Sequence, residues 1–260
     1  MTGPDSGGNG LWARITRNMQ SMMARKPAPE APPTQPEREA SEESGPYSPD
    51  LDRLLTPGMT YRSKAIEYLV QSHPAGGLVL PTGRVVASDA LLAFTRPFTV
   101  TVDPGTYSTI AWVVVLSENG EYRGRRVAAL QLVVRDAPVA RWEPALLDGE
   151  SPEKLKSGQF FGYPVDTGMG CLGDLTALRG LATWDEDRLD RVLNSCGESD
   201  WAPVPCLVST VTDEATGANI VAVASGWGDG TYPTLVGYTD NDQVACFVTD
   251  FMVVPHDPEK

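Results

Sequence analysis

Apolar residues in this chain gather, from about residue 77 onward, into short β-branched runs separated by Gly, Pro, Asn and Asp. Tyr107–Leu116 and Arg126–Val134 are the longest runs, and with the polar loop Ser117–Gly124 between them they predict a central hairpin. Gly77–Leu80 and Arg84–Ala87 flank Pro81-Thr82-Gly83, which reads as a second hairpin. Phe98–Val102 predicts a short strand closed by Asp103-Pro104-Gly105. Ile220–Ala224, Tyr232–Tyr238 and Val244–Val254 repeat the theme, the last two joined by the turn Thr239-Asp240-Asn241-Asp242. Helical spacing is scarce. Trp184–Asn194 is the best case, with Asp185 and Glu186 in its first turn and Leu189, Val192 and Leu193 on one face. Pro152–Lys156 begins a short helix, while Cys171–Ala182 and Thr60–Ser72 fit helix or strand equally. These patterns predict a mainly β (α+β) fold of antiparallel, sandwich-like sheets with a few peripheral helices.

The first fifty residues differ. Leu11, Ile15, Met19, Met22 and Met23 recur at helical spacing among Arg14, Arg17, Arg25 and Lys26, which predicts a short basic amphipathic helix over 11–26. Pro27–Asp50 holds seven prolines and five glutamates and has too little apolar surface to offset chain entropy. We therefore expect a disordered tail over 1–46 and a single mainly-β domain over 47–260. The basic helix reads as a segment docking on a partner or a membrane surface, or else as a frayed leader with translation starting at Met19, Met22 or Met23.

Composition narrows the function classes. The 260 residues carry a formal net charge of −13, and nearly all of it belongs to the body, since residues 1–45 hold five basic and six acidic side chains. Such a body lacks the basic footprint of a nucleic-acid binder and suits a basic protein partner. The longest apolar run, Ile110–Leu116, is far short of the roughly 20 residues of a membrane helix. The N-terminus has no apolar core of a secretory signal, so we expect a cytoplasmic protein. The four cysteines, Cys171, Cys196, Cys206 and Cys246, form no C-x-x-C pair and read as reduced thiols that hold no metal.

Familiar catalytic patterns are missing: G-x-S-x-G, a P-loop and H-E-x-x-H do not occur. Gly168, Gly170 and Gly173 match G-x-G-x-x-G spacing, but no βαβ context surrounds them. Asp240-Asn241-Asp242 resembles an EF-hand start without the later Gly and Glu. His256 lies in a polar tail and His73 in a turn-like His-Pro-Ala-Gly-Gly stretch, so neither suits a Cys–His pair. Two segments are richer in unusual residues: Gly162–Asp174 and Ser225–Pro233. They supply the binding candidates Asp166, Gly168, Asp174, Trp227, Asp229 and Tyr232, joined by Asp250. If 226–231 is extended, its glycines leave one bare face, and Trp227, Asp229 and Thr231 stand on the other. Asp229 would then accept amides of the Asp166–Gly170 turn.

Several of these stretches together carry a resemblance. Leu80–Asp89, Pro104–Tyr107, Arg141–Ala145, Val165–Gly168 through Cys171 to Asp174, Ser225–Pro233 and Val248–Phe251 follow one another in order. In this the chain resembles the bacterial family catalogued as domain of unknown function 4241. Ala90 and Leu235-Val236 depart from the Pro and the more aromatic pair usual there. The resemblance implies the domain limits and a mainly-β fold, and no activity.

Two functions remain. One is a non-enzymatic binding or interaction module of a regulatory, immunity-type or effector-associated kind, needing no cofactor. The other is a hydrolase in which clustered Asp89, Asp166, Asp174, Asp229 and Asp250 hold a divalent metal. The tail reading makes a prediction: a chain beginning at Tyr47 keeps its melting temperature within a few degrees in a thermal scan. A large drop would show that residues 1–46 support the body.

Overall fold

The computed structural model describes residues 46–194 and 202–255. The predicted basic helix and the Pro-rich stretch as far as residue 45, and likewise Cys196 and His256, lie outside the described residues, whereas the end of that stretch is ordered structure in which Tyr47 is buried and Asp50 caps a helix. Twelve strands form two antiparallel sheets among the described residues. They are β1 (Thr60–Ser63), β2 (Ile66–Leu80), β3 (Val85–Asp89), β4 (Gly105–Glu118), β5 (Glu121–Val133) and β6 (Arg141–Pro144). After them come β7 (Gly162–Val165), β8 (Met169–Asp174), β9 (Val208–Asp213), β10 (Ala218–Ala224), β11 (Gly230–Tyr238) and β12 (Val244–Asp250). Three short α-helices, α1 (Leu51–Leu54), α2 (Leu175–Leu181) and α3 (Glu186–Asn194), and a single 3₁₀ turn at Pro152–Lys154, where a short helix was expected, complete the set among the described residues. The mainly-β antiparallel expectation holds.

The large sheet runs β1-β2-β4-β5-β12-β11-β6, with β7 on the first half of β11. Its centre is the predicted β4–β5 hairpin, but the strands are longer than expected. Ser117–Gly124 is not an open loop: pairing continues to Glu118↔Glu121, and only Asn119 and Gly120 turn, at φ 52° and 81°. An Asn-Gly pair with both residues at positive φ is the turn whose twist matches paired strands, which is why the polar flanks stay in the ladder.

The small sheet runs β3-β8-β10-β9, and its strands β3, β8 and β10 are buried on both faces while the edge strand β9 is partly exposed. Alternation sorts its side chains: Val85, Ala87, Leu172, Val221 and Val223 join the core shared with the large sheet. Their neighbours Val86, Cys171, Ile220 and Ala222 pack outward with Leu175, Leu178 and Leu181 of α2. Asn219 joins the sheets where their hydrophobic contact ends: its side chain accepts from the Val79 amide and donates to Gly77 O, both at 2.8 Å.

Several expectations are corrected. Gly77–Leu80 and Arg84–Ala87 do not form a hairpin, since the first belongs to β2 of the large sheet and the second to β3 of the small one. Gly83 turns the chain between them at φ 67°, where a Cβ would lie 1.8 Å from Val102 O. Phe98–Val102 is no strand either. It is an extended segment held by single bonds to Val85, Gly83 and Leu146, with one bridge from Phe98 to Leu147. His73 lies half-buried within β2 rather than in a turn. Thr60–Ser72 resolves into the β1–β2 hairpin, and Cys171–Ala182 divides into β8 and α2 at Asp174.

The edges of the large sheet meet one element. Arg53 of α1 donates to Thr60 O of β1 at 3.3 Å and covers the Tyr61 ring, while Asp52 accepts from Trp142 Nε1 of β6 at 3.3 Å. The sheet curls so that α1 spans the gap between edge strands that do not pair. The Gly83 contact yields a test. Gly83→Ala adds left-handed strain and a collision with main chain, costing about 2–4 kcal/mol in urea unfolding.

Candidate functional site

Asp89 ends β3, and its carboxylate is fully buried. Oδ1 accepts the amides of Leu91 and Leu92 at 2.8 and 3.1 Å. Oδ2 accepts those of Asp166 and Thr167 at 2.9 and 3.0 Å, and the Thr167 hydroxyl lies 2.9 Å from both oxygens. One side chain therefore fixes the loop after β3 and the turn between β7 and β8. The turn is fastened again from its far side, where Gly168 O accepts the Ser225 amide at 2.9 Å.

The structure brings some candidate residues together and separates others. Asp166 and Asp229 are both exposed, and they are neighbours. The last β7–β11 pair is Gly230↔Val165, so one more step in antiparallel register sets Asp229 opposite Asp166. Partial burial pushes the Asp229 carboxyl above its usual range, the Gly168 amide opposes that by bonding to it, and the Asp166 and Asp89 charges push it further up. Asp229 thus meets the turn amide expected of it, but from an exposed position.

Asp174 lies elsewhere, at the other end of the β3–β8 pair, where it caps α2 through the Thr176 amide at 2.8 Å and accepts from the Thr82 amide at 3.0 Å. Asp250 is remote as well: buried in β12, it accepts the Tyr47 hydroxyl at 2.7 Å and the Met252 amide at 2.8 Å. Tyr232 is buried, with its hydroxyl on the carbonyls of Gly228 and Ser225 and its ring edge-on to Phe251 at 5.2 Å. Burial raises that phenol to about 12, so it remains a neutral donor.

Trp227 is on a turn rather than a strand, because β11 begins only at Gly230. Gly226 and Gly228 take φ 52° and 114°, and the Ser225 hydroxyl closes the turn onto Gly228 O at 2.7 Å. The expected bare face and furnished face therefore do not form. The indole instead projects outward, 44% exposed, with the Arg126 guanidinium 5.1 Å from its ring centre. Sequence reasoning undervalued Asp89 and missed Thr167, Ser225 and Thr82. The signal available was a carboxylate closing the run Val85-Val86-Ala87-Ser88, a context in which a charge must be fully hydrogen-bonded.

The chemistry of the cluster follows from those bonds. Among the described residues no group of three or more His, Cys, Asp or Glu is arranged to hold a metal ion. Asp89, which would be the innermost ligand, already receives four amides and a hydroxyl. Cys171, Cys206 and Cys246 form no disulfide among the described residues, and burial pushes the Cys171 thiol far up and that of Cys246 to about 11. Cys171 and Cys246 are therefore not activated nucleophiles.

Of the landmark segments noted in the sequence, the end of Leu80–Asp89, the start of Val165–Asp174 and the start of Ser225–Pro233 meet around this hub. Residues 78–249 match the model of a family described as a protein of unknown function, DUF4241. The chain belongs to this family. No curated protein and no solved structure shows significant similarity to it. No described helix is long and apolar enough to cross a membrane.

Two variants separate the carboxylates. Asp89→Ala strands several buried donors and lowers stability by at least about 3 kcal/mol in denaturant unfolding. Asp229→Asn does the opposite. An acid whose folded pKa is raised destabilises the fold once ionised, so stability falls as pH rises through and above the unfolded value. Asp229→Asn should raise the unfolding midpoint at neutral pH, the gain vanishing below about pH 4.

Proposed function

We propose that this chain is a non-enzymatic interaction module that meets a basic protein partner on the ridge formed by Trp227, Asp229 and Asp166. The observation carrying this reading is the exposed indole of Trp227, fixed on a hydrogen-bonded turn beside two opposed carboxylates. Neither carboxylate makes an ion pair among the described residues. Tryptophan is among the residues enriched at interface hot spots, because its ring buries a large area with little loss of rotamer freedom. The acidic body supports a cationic partner through long-range attraction. A cation at the ridge also relieves the Asp229–Asp166 repulsion. The hydrolase reading is less well supported, since Asp89, Asp174 and Asp250 serve as buried acceptors in three separate places.

The test uses an arginine-rich peptide as probe and fluorescence anisotropy as readout. Wild-type chain should bind it with a strong salt dependence, and Trp227→Ala and the Asp166→Asn/Asp229→Asn pair should each weaken it about tenfold, or 1.4 kcal/mol. Equal binding by all variants would overturn the reading. Divalent-metal-dependent hydrolysis of an aryl phosphodiester that disappears in Asp166→Asn would favour the hydrolase instead.

A further inference from the structure

A second site lies along β7 from the ridge. Where the edge of the small sheet meets the β6–β11 end of the large one, a cleft of about 200 Å³ opens. Its inner end includes Ala87 of β3 and Thr234 of β11, both buried, and its walls carry Phe98, Phe161 and Leu147. Phe94 stands at the mouth, 40% exposed.

That exposed phenylalanine is held in place. The preceding residue, Ala93, has φ 45°, a left-handed conformation that an L-residue with a Cβ adopts only under strain. The Phe94 amide is fixed to the Ser88 hydroxyl at 2.8 Å, and the same loop hangs from Asp89 through the amides of Leu91 and Leu92. Backbone strain of this kind clusters at ligand clamps, and here it sits beside an apolar ring at the rim of an apolar cleft.

The polar groups at the cleft define what fits. Arg96 donates from Nη2 to Asp148 O at 3.2 Å, and Glu150 accepts the Leu147 amide on Oε2 at 2.7 Å. Neither is in an ion pair among the described residues, although both line the same cleft. The cleft thus offers one cation, one anion and an aromatic interior. Cavities of about 150 Å³ accept a benzene ring, so the space suits one ring with a short polar head. We propose that this cleft binds a free α-amino acid with a single-ring aromatic side chain. The ring lies among Phe94, Phe98 and Phe161, the carboxylate pairs with Arg96, and the ammonium pairs with Glu150. The site is separate from the Trp227 ridge, and its outcome does not depend on that reading.

Isothermal titration of the full chain with L-phenylalanine, phenylacetate and phenethylamine tests this. L-Phenylalanine should bind at least about tenfold more tightly than either single-charge analogue. Arg96→Gln should reduce it to the level of phenethylamine and Glu150→Gln to that of phenylacetate, while Phe94→Ala weakens all three. These side chains lie at the mouth, and circular dichroism confirms that each variant folds. Absence of binding by all three probes at millimolar concentration would overturn the proposal. So would L-phenylalanine binding that is unchanged by both charge variants, or equal to that of phenylacetate.

Discussion

A buried carboxylate determines the geometry of one whole end of this molecule. Asp89 terminates a strand with no exposed residue, where an ionised side chain is tolerated only if its oxygens are fully hydrogen-bonded. Its donors come from two segments that are distant in sequence, so satisfying the charge forces the loop after β3 and the β7–β8 turn together. The ridge and the aromatic cleft are both attached to these segments. The same electrostatic requirement therefore positions two surfaces of different character, one acidic and one apolar with mixed charge.

The double burial of the small sheet sets the other constraint. Its strands β3, β8 and β10 carry apolar side chains on both faces, so α2 has to cover the outer one. Asp174 then acts where sheet gives way to helix, capping α2 while holding the turn that leaves β2. The buried carboxylates Asp89, Asp174 and Asp250 thus each join segments that are distant in sequence. That explains why five aspartates in landmark segments looked like a cluster in the sequence and are spread over the structure.

The periodic parts of the fold were legible. The β-branched runs of β4, β5, β11 and β12 and the apolar face of Trp184–Asn194 gave strands and a helix in the right places, although β5 starts at Glu121 rather than Arg126 and β12 ends at Asp250 rather than Val254. What stayed hidden is long-range. Pro81-Thr82-Gly83 has the chemistry of a tight turn, and only the destination of the next strand reveals that it changes sheets. Phe98–Val102 has strand composition but no continuous partner. At the candidate site the Gly-rich turn and its Asp–amide contact could be read from local composition. Thr167, Ser225 and Thr82 could not, because each becomes important only when a remote acceptor or carbonyl arrives.

The bond between the Tyr47 hydroxyl and Asp250 has a kinetic consequence. It connects residues 203 positions apart, and α1 beside it rests on strands from both ends of the large sheet. Loop-closure entropy opposes such a contact until most of the intervening chain is in place. The contact between Tyr47 and Asp250 is consequently among the last to form. Until β12 has paired, Tyr47, Leu51 and Leu54 have no finished surface to cover.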